Sequence, residues 1–263
     1  IVMATDPDAD RVGFAIRDDK GELVLLNGNQ IVSILTSYML TRWSELGKLK
    51  GREYVVKTIV TTELIRDICE KYGVELYNVL TGFKYIAEIV RQNESKKVFI
   101  CGGEESHGFN AGEFVRDKDS IVSCALFAEC AAWLADRGKS IYDYIQEIYA
   151  EYGYYKEKLL SVTKSGKEGL EQIQRMMKDL RMTPPTEIAG SPVVKIIDYN
   201  LPEETNLPKS NVLQFFSKDG SLVSARPSGT EPKIKFYFGV KGDDADQKIR
   251  KVFAQFEKFA QKY

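Results

Sequence analysis

The central part of the chain is organised around Val98-Phe99-Ile100-Cys101-Gly102-Gly103-Glu104-Glu105-Ser106-His107-Gly108. The first four residues are apolar, as in a buried strand, and two glycines separate them from a polar segment. Around this stretch, residues 52 to about 150 alternate apolar runs with helical patterns. Such alternation predicts a parallel sheet with helices on both faces, in which ligands bind beyond the carboxyl ends of the strands. The polar segment 104–108 is therefore a candidate binding segment.

Working outward, the sequence predicts three regions. In the central region the predicted strands are 54–60 and 98–101, and the predicted helices are 63–72, 83–92, 120–136 and 141–152. The first 50 residues predict a strand, a loop, a hairpin and a helix capped by Asn29. After an aromatic linker at 151–155, the predicted strands are 159–163, 193–199, 212–216, 221–225 and 234–240, and the predicted helices are 168–181 and 245–261. The last region is therefore predicted to be an α+β domain with a mainly antiparallel sheet.

The composition argues against several classes of protein. With 37 basic and 38 acidic residues among 263, no basic surface for nucleic acid is expected. The chain has one histidine and four cysteines, none in a Cys-x-x-Cys pair, which argues against a zinc site and suits a reduced, cytoplasmic setting. No apolar run approaches the roughly 18 residues of a membrane span. The chain starts at Ile1 without a signal peptide, and we expect it to be the inner part of a longer protein.

The segment Asp6-Pro7-Asp8-Ala9-Asp10-Arg11 carries three alternating carboxylates. Alternate residues of an extended segment face one way, and three carboxylates that converge repel one another unless a cation lies between them. Oxygen ligands select a hard ion such as Mg²⁺, and Arg11 could bind a phosphate on that ion. An EF-hand is excluded because Arg11 and Arg17 stand where glycine and glutamate are required.

The segment 104–108 and a neighbouring charged run offer groups for a polyol. Carboxylates accept hydrogen bonds from vicinal hydroxyls, and Ser106 can donate or accept one, which suits a sugar ring. His107, the only histidine, is a candidate for proton transfer. Lys118 is a candidate phosphate contact or acid/base group. The non-functional alternatives are a polar loop for 104–108 and a solvated run of charges around Lys118.

The segment Arg226-Pro227-Ser228-Gly229-Thr230 lies between two predicted strands. Gly229 allows an open turn whose N–H groups can point at one anion, and Ser228 and Thr230 add hydroxyls. Arg226 adds a forked cation that matches a phosphate group. The segment predicts a phosphate site, and the alternative is an ordinary hairpin turn. Metal, polyol and phosphate groups together predict phosphoryl chemistry on a sugar.

Together these segments resemble the α-D-phosphohexomutase superfamily, which includes phosphoglucomutases and phosphomannomutases. The resemblance implies an α/β fold: a mixed-sheet α/β domain of the phosphohexomutase type, followed by an α+β, TATA-box-binding-protein-like C-terminal domain. It divides the chain into a remnant of domain 2 at 1–50, a sugar-binding domain 3 at 51–152 and a phosphate-binding domain 4 at 153–263.

The resemblance also implies roles for individual residues. The metal ligands would be Asp6, Asp8 and Asp10, with Mg²⁺ as the cofactor. The catalytic group would comprise Arg11, His107 and Lys118. The substrate-binding residues would be Thr81, Gly82, Lys84, Glu105, Ser106, Arg226, Ser228, Gly229 and Thr230.

The function implied is the interconversion of hexose 1-phosphate and hexose 6-phosphate, glucose-type favoured, through an enzyme phosphoserine and a hexose 1,6-bisphosphate that serves as intermediate and activator. The family's phosphoserine loop of Thr-Ala-Ser-His-Asn-Pro type is not found in the chain, because the only Ser-His pair is Ser106-His107. We therefore expect the chain by itself to be inactive. The partners expected are a phosphosugar, with no nucleic acid and no membrane, and the oligomeric state is left open.

Other functions remain open on the sequence. The specificity could be that of a phosphopentomutase or a phosphomannomutase. The chain could be a Mg²⁺-dependent phosphatase with Asp6 as nucleophile, although the threonine expected two residues after the second aspartate of that motif is replaced by Asp10. It could also be a phosphosugar-binding module without catalysis. Trapping an aspartyl-phosphate at Asp6, or finding binding without turnover, would distinguish these classes.

Overall fold

A computed structural model describes residues 1–229 and 231–263 of the chain. These residues form two compact units, Ile1–Tyr152 and Gly153–Tyr263. Residues 1–50 pack within the first unit, and their assignment to a separate domain stays a prediction. None of the helices in the described ranges is long and apolar enough to cross a bilayer.

The first unit begins with a small antiparallel sheet. Its strands are β1 (Val2–Thr5), β2 (Val12–Arg17) and β3 (Leu23–Leu25), in the order β1-β2-β3. Helix α1 (Gly28–Glu45) follows and is capped by Asn27, whose side chain accepts a hydrogen bond from Gln30 N. The cap predicted at Asn29 was wrong. Asn29 lies in the first turn, and its Oδ1 accepts a hydrogen bond from Thr62 N at 2.9 Å.

The remaining elements of this unit build a four-stranded sheet covered by helices. In chain order they are β4 (Glu53–Thr58), α2 (Leu64–Tyr72), β5 (Glu75–Val79), α3 (Phe83–Asn93), β6 (Val98–Gly103), β7 (Phe109–Ala111), α4 (Ser120–Ala135) and α5 (Ile141–Tyr152). The strand order is β5-β4-β6-β7, with β4 parallel to both β5 and β6 and with β7 antiparallel to β6. The mixed sheet is confirmed: the parallel pairing that the alternation predicts holds for β5, β4 and β6, and β7, which was not predicted, turns back along β6.

Helices pack on both faces of the mixed sheet. On one face, α3 packs against Tyr54, Val56 and Phe99. On the other face lies α1, where Cys101 Sγ donates to Thr36 Oγ1 at 3.7 Å. A register shift in the pairing of β4 with β6 places Phe99 and Cys101 on opposite faces. Gly102 and Gly103 at the end of β6 allow the helices to approach the sheet closely. A Cβ on Gly103, for example, would lie 2.6 Å from the side chain of Val32 in α1.

The second unit is one antiparallel sheet with two long helices on one face. Its elements are β8 (Tyr155–Thr163), α6 (Gly166–Met182), β9 (Glu187–Ile188), β10 (Ser191–Asp198), α7 (Pro202–Thr205), β11 (Leu213–Ser217), β12 (Leu222–Pro227), β13 (Lys233–Lys241) and α8 (Ala245–Ala260). The strand order is β8-β13-β12-β11-β10-β9, and every pairing is antiparallel. The core includes Phe236 and Phe238, whose rings lie 5.4 and 5.6 Å from that of Phe256 in α8. The α+β prediction is confirmed.

Candidate functional site

The carboxyl ends of the three parallel strands bring three loops together in the first unit. These loops are 58–62 after β4, 80–82 after β5 and 104–108 after β6. The buried carboxylate of Glu104 connects two of them: its Oε1 accepts a hydrogen bond from Gly82 N at 3.0 Å, and its Oε2 lies 3.5 Å from the Ser106 hydroxyl. The side chains of Glu104 and Ser106 are thus neighbours in space, at the sheet edge where ligands bind in α/β proteins.

Glu105 faces a different set of groups. Its Oε2 lies 3.3 Å from Thr58 Oγ1 and 3.4 Å from Thr61 Oγ1. Its main chain passes close to Gly28 at the start of α1, where a side-chain Cβ would overlap the Glu105 carbonyl. The side chain that sequence reasoning selected as the sugar ligand is therefore bound by the threonines of loop 58–62. Its role toward a ligand stays a prediction.

The loop 104–108 is joined to the start of β2 by a short bridge. Val12 N donates to the His107 carbonyl at 3.1 Å, and His107 Nδ1 lies 3.1 Å from the Val12 carbonyl. A carbonyl only accepts, so Nδ1 carries the proton in this contact and Nε2 is the other ring nitrogen. His107 takes φ +72°, a left-handed conformation that is uncommon for residues other than glycine. This bridge holds the polar loop beside the acidic segment.

The acidic segment lies in the loop between β1 and β2. One carboxylate oxygen each of Asp6, Asp8 and Asp10 lie within 4.8 Å of one another. The Asp6 carboxylate accepts from Arg11 N at 3.0 Å and from Asp10 N at 3.1 Å, and the Arg11 amide is the main cause that lowers the pKa of Asp6. The turn is closed by Ala9, at φ +56°. The backbone thus fixes one carboxylate of the three in its ionised form.

The donor set fits a divalent cation. Three carboxylates supply hard oxygen ligands only, which suits Mg²⁺. Oδ1 of Asp10 is buried and accepts no hydrogen bond within the described part of the chain, although the Arg11 guanidinium lies 3.7 Å from it. A separation of 3.7 Å is too long for a hydrogen bond, so this oxygen carries a desolvation cost that a directly bound cation would offset. Asp6, Asp8 and Asp10 are therefore the residues that would hold a metal.

Lys118 connects the acidic segment with the loop 104–108. Its ammonium lies 2.7 Å from Asp10 Oδ2, and its side chain is only 14% exposed. The aliphatic stem of Lys118 passes over Gly108, where an added Cβ would overlap it and would lie 3.3 Å from Glu104 Oε2. The structure thus brings Lys118, Asp10 and the Glu104 loop together. Arg11, by contrast, has an exposed side chain.

The loop after β5 carries Thr81, Gly82 and Lys84. Gly82 has φ +116°, which glycine tolerates best, and this conformation directs its N–H to Glu104. Thr81 is half-buried. Lys84, in the first turn of α3, is exposed, and its ammonium lies 5.0 Å from the centre of the Tyr85 ring.

The second unit carries a cationic cavity of about 150 Å³ at the turn between β12 and β13. Arg226 and Lys235 are paired across the two strands, and both line this cavity with Ser228 and Lys233. Glu231 also lines it and forms an ion pair with Lys233 at 3.0 Å. Three cations against one carboxylate leave an excess of positive charge, which suits an anion.

The predicted phosphate residues fall on this turn in part. Arg226 and Ser228 line the cavity, and Gly229 follows them. Thr230 lies outside the described residues. The turn is closed by a hydrogen bond of 2.7 Å from Ser228 N to the Lys233 carbonyl. Lys235 was missed by sequence reasoning, although the alternation of Lys233 and Lys235 after a turn that contains Gly229 was a usable signal.

Two further residues of the first unit were not selected as site residues. Glu104 belongs to the predicted polyol segment 104–108, but sequence reasoning selected its neighbour Glu105 as the sugar ligand, because a sequence does not tell how two adjacent carboxylates are oriented. Lys57 was overlooked because it stands inside an apolar strand pattern. It is fully buried, and its ammonium lies 2.8 Å from Glu63 Oε1.

Comparison with known protein families gives two matches along the chain. The model of phosphoglucomutase/phosphomannomutase alpha/beta/alpha domain III matches residues 27–152. The model of the phosphoglucomutase/phosphomannomutase C-terminal domain matches residues 160–256. The two matches lie in succession and cover most of both units.

A curated relative and two solved structures show the same likeness. The phosphoglucomutase of Staphylococcus aureus (strain MSSA476) is 39% identical over 262 residues, which are 95% of this chain and 47% of the relative. The open form of pp63/parafusin from Paramecium, an exocytosis-sensitive phosphoprotein and phosphoglucomutase, has a TM-score of 0.71 at 16% identity, over 98% of this chain and 44% of its own. Aspergillus fumigatus N-acetylphosphoglucosamine mutase, in complex with GlcNAc-6P and magnesium, has a TM-score of 0.54 at 16% identity, over 98% and 48%. The chain spans about half the length of the curated relatives it matches.

Proposed function

We propose, on the premise that the chain belongs to the phosphoglucomutase/phosphomannomutase family, that it forms part of a mutase that interconverts hexose 1-phosphate and hexose 6-phosphate. Glucose phosphates are the favoured substrates. The observation that carries the proposal is the continuous set of contacts from Asp10 through Lys118 to the loop of Glu104 and Ser106. It supports the proposal because candidate cation ligands and candidate hydroxyl-binding groups lie next to each other, as phosphoryl transfer to a sugar hydroxyl would need.

The acidic segment is proposed to hold Mg²⁺ through Asp6, Asp8 and Asp10. When bound, the ion would neutralise charge on the phosphoryl group that is transferred. The protein's own part is to keep the carboxylates in place, through the two amides that bind Asp6. The presence of magnesium in the complex of the Aspergillus relative with GlcNAc-6P supports the choice of the ion.

Glu104 and Ser106 are proposed to bind hydroxyls of the sugar. Gly82 N holds one oxygen of the Glu104 carboxylate, so the carboxylate has one orientation relative to Ser106. A fixed pair of this kind recognises vicinal hydroxyls better than a mobile one, because less rotational freedom is lost on binding. Thr81 and Lys84 would contribute from the neighbouring loop.

Lys118 is proposed to move between two anionic partners. Its ammonium is paired with Asp10 at 2.7 Å, and the same charge can stabilise a phosphoryl group that arrives beside the metal ligands. Arg11 would bind oxygens of that group from the exposed side. His107 is proposed to present Nε2 to a ligand, because Nδ1 is engaged with the Val12 carbonyl.

The cationic cavity of the second unit is proposed to bind a phosphate group of a phosphosugar. Arg226 offers a forked donor, Ser228 a hydroxyl, and Lys233 and Lys235 add charge. Gly229 and Thr230 complete the phosphate segment that the sequence predicts. Binding at this turn would be weakened by salt, because the site is open to solvent.

The test is turnover of glucose 1-phosphate by the full-length protein with and without Mg²⁺. We expect turnover only with the ion, and a loss of about a hundredfold or more in kcat for Asp10→Asn. Asp136→Asn, which alters an exposed aspartate at the end of α4, is the matched control. Release of inorganic phosphate instead of glucose 6-phosphate would favour a phosphatase. A higher kcat/KM for mannose or pentose phosphates would correct the substrate.

A further inference from the structure

A largely buried ion pair holds the turn that contacts Glu105 of the loop 104–108. Lys57, in β4, is fully buried. Its ammonium donates to Glu63 Oε1 at 2.8 Å and to the carbonyls of Thr61 at 3.0 Å and Thr58 at 3.4 Å. An ammonium has three N–H donors, so these acceptors use all of them. The lysine therefore binds both ends of the turn 58–61 and holds it in one geometry.

Glu63 completes the ion pair from the start of α2. Burial would raise the pKa of Glu63, but the charge of Lys57 outweighs it and the pKa is lowered. Removing one member of a buried pair leaves the other charge without a partner and is strongly destabilising. The turn 58–61 is thus anchored by an ion pair that is costly to break.

The anchored turn presents two hydroxyls to Glu105. Thr58 Oγ1 and Thr61 Oγ1 lie 2.8 Å apart and 3.3 and 3.4 Å from Glu105 Oε2. Two hydroxyl protons serve these contacts, so one threonine can donate to the other while the second donates to the carboxylate. Gly28 holds the same residue at its main chain, because α1 meets the Glu105 carbonyl there. Glu105 is therefore fixed at both its side chain and its backbone.

We propose that Lys57, Thr58 and Thr61 are positioning residues that act through Glu105. By fixing Glu105, they set the places of Glu104 and Ser106 on either side of it in the chain. The effect on turnover rests on the proposed function, whereas the effect on the loop does not. A consequence is that the residue at position 105 and the two threonines form a matched set: a carboxylate needs the hydroxyls, and an apolar side chain would need apolar partners.

The loop itself provides the first test. In the full-length protein, amide hydrogen exchange of residues 104–108 is measured for the double variant Thr58→Val/Thr61→Val. We expect exchange to become about tenfold faster there and to stay unchanged in β13. The Ser/Ser double variant should restore protection, because it keeps both hydroxyls. Thr41→Val is the matched control, since its hydroxyl bonds the Ser37 carbonyl and Tyr72 within the same unit, both at 2.8 Å.

Unchanged exchange at 104–108 in the Val/Val variant would overturn the proposal. So would equal loosening by Thr41→Val, since it would indicate general destabilisation of the unit. Should the wild type bind and turn over no phosphosugar, the proposed function fails while this result still stands.

Kinetics provide the second test. Loss of positioning should lower kcat of the Val/Val variant by about tenfold and change KM less, because the groups that touch the substrate remain present. Glu105→Met should impair the wild type but be partly rescued in the Val/Val background, a non-additivity that neighbours show and distant sites do not. Strictly additive effects on kcat would contradict the matched set.

Discussion

At the scale of single residues, adjacent Glu104 and Glu105 are expected to respond differently to loss of charge. Glu104→Gln weakens a contact to Gly82 and Ser106 at the ligand edge, so kcat/KM for glucose 1-phosphate should fall by about ten- to a hundredfold. Glu105→Gln keeps an acceptor for the threonine hydroxyls and changes a side chain with no proposed contact to the sugar, so kcat/KM should fall less. Steady-state kinetics of the full-length protein measures both. A larger loss for Glu105→Gln would indicate that Glu105 contacts the sugar, as the sequence predicts.

A second residue-scale prediction concerns Asp219 in the second unit. Partial burial opposes its ionisation, but the Ser217 hydroxyl, the Lys248 ammonium at 3.0 Å and the Ser221 amide outweigh it and hold the pKa of Asp219 far below its usual 3.8. A depressed folded pKa gives stability that is present above pH 3.8 and is lost as the pH falls toward the folded pKa.

Asp219→Asn should therefore destabilise the chain by about 1–3 kcal/mol at neutral pH, and the difference should shrink progressively below about pH 4. Denaturant unfolding at several pH values measures it. Asp243→Asn, at an exposed aspartate of the turn before α8, should change the unfolding free energy little at any pH. A pH-independent difference for Asp219→Asn would show that the charge of the carboxylate is unimportant.

At the scale of elements, Gly28→Ala should destabilise the protein although it lies in a helix. Alanine normally stabilises a helix relative to glycine by about 1 kcal/mol. Here the added Cβ would overlap the Glu105 carbonyl and lie 2.9 Å from His107 N, so α1 or the loop 104–108 has to move. We expect a net loss of about 1–3 kcal/mol, seen as a lower Tm.

The control for Gly28→Ala is Gly239→Ala in β13, where a Cβ would meet nothing within 4 Å. It should change stability by less than about 0.5 kcal/mol. A Tm for Gly28→Ala at or above that of the wild type would mean that α1 and the loop can separate freely.

The elements also indicate how far the sequence could predict this structure. Long helices and apolar strands such as β6 were predicted because their hydrophobic periodicity extends over enough residues to be recognised. β5 and β7 were not: β5 has Glu75 and Asn78 among its five residues, and β7 has three residues. β8 begins at Tyr155, four residues earlier than predicted. Its first part was not recognised because Lys156, Glu157 and Lys158 give it no apolar pattern. Short strands are decided by their pairing partners, which a local pattern does not contain.

The same limit applies to the site. The acidic segment was predicted as a unit because three carboxylates must share a neighbourhood within six residues of chain, and their oxygens do converge. The ion pair of Lys118 with Asp10 joins residues 108 positions apart and depends on Gly108 leaving room for the lysine stem. The sequence contains these residues but not the distances between them, so Lys57 could be identified, and Glu104 distinguished from Glu105, only from the fold.

At the scale of the whole molecule, the 263-residue chain should bind Mg²⁺ without converting glucose 1-phosphate into glucose 6-phosphate. It has the acidic segment, whose carboxylates suit the ion, but the proposed reaction needs a phosphoserine donor, and Ser106-His107 belongs to the loop after β6. Calorimetry with Mg²⁺ and a coupled assay measure the two properties on one preparation. The full-length protein, assayed in parallel, should do both, and the chain with Asp8→Asn should lose the heat of Mg²⁺ binding. Robust turnover by the chain itself would refute the need for a phosphoserine donor outside these 263 residues and would require a nucleophile among them.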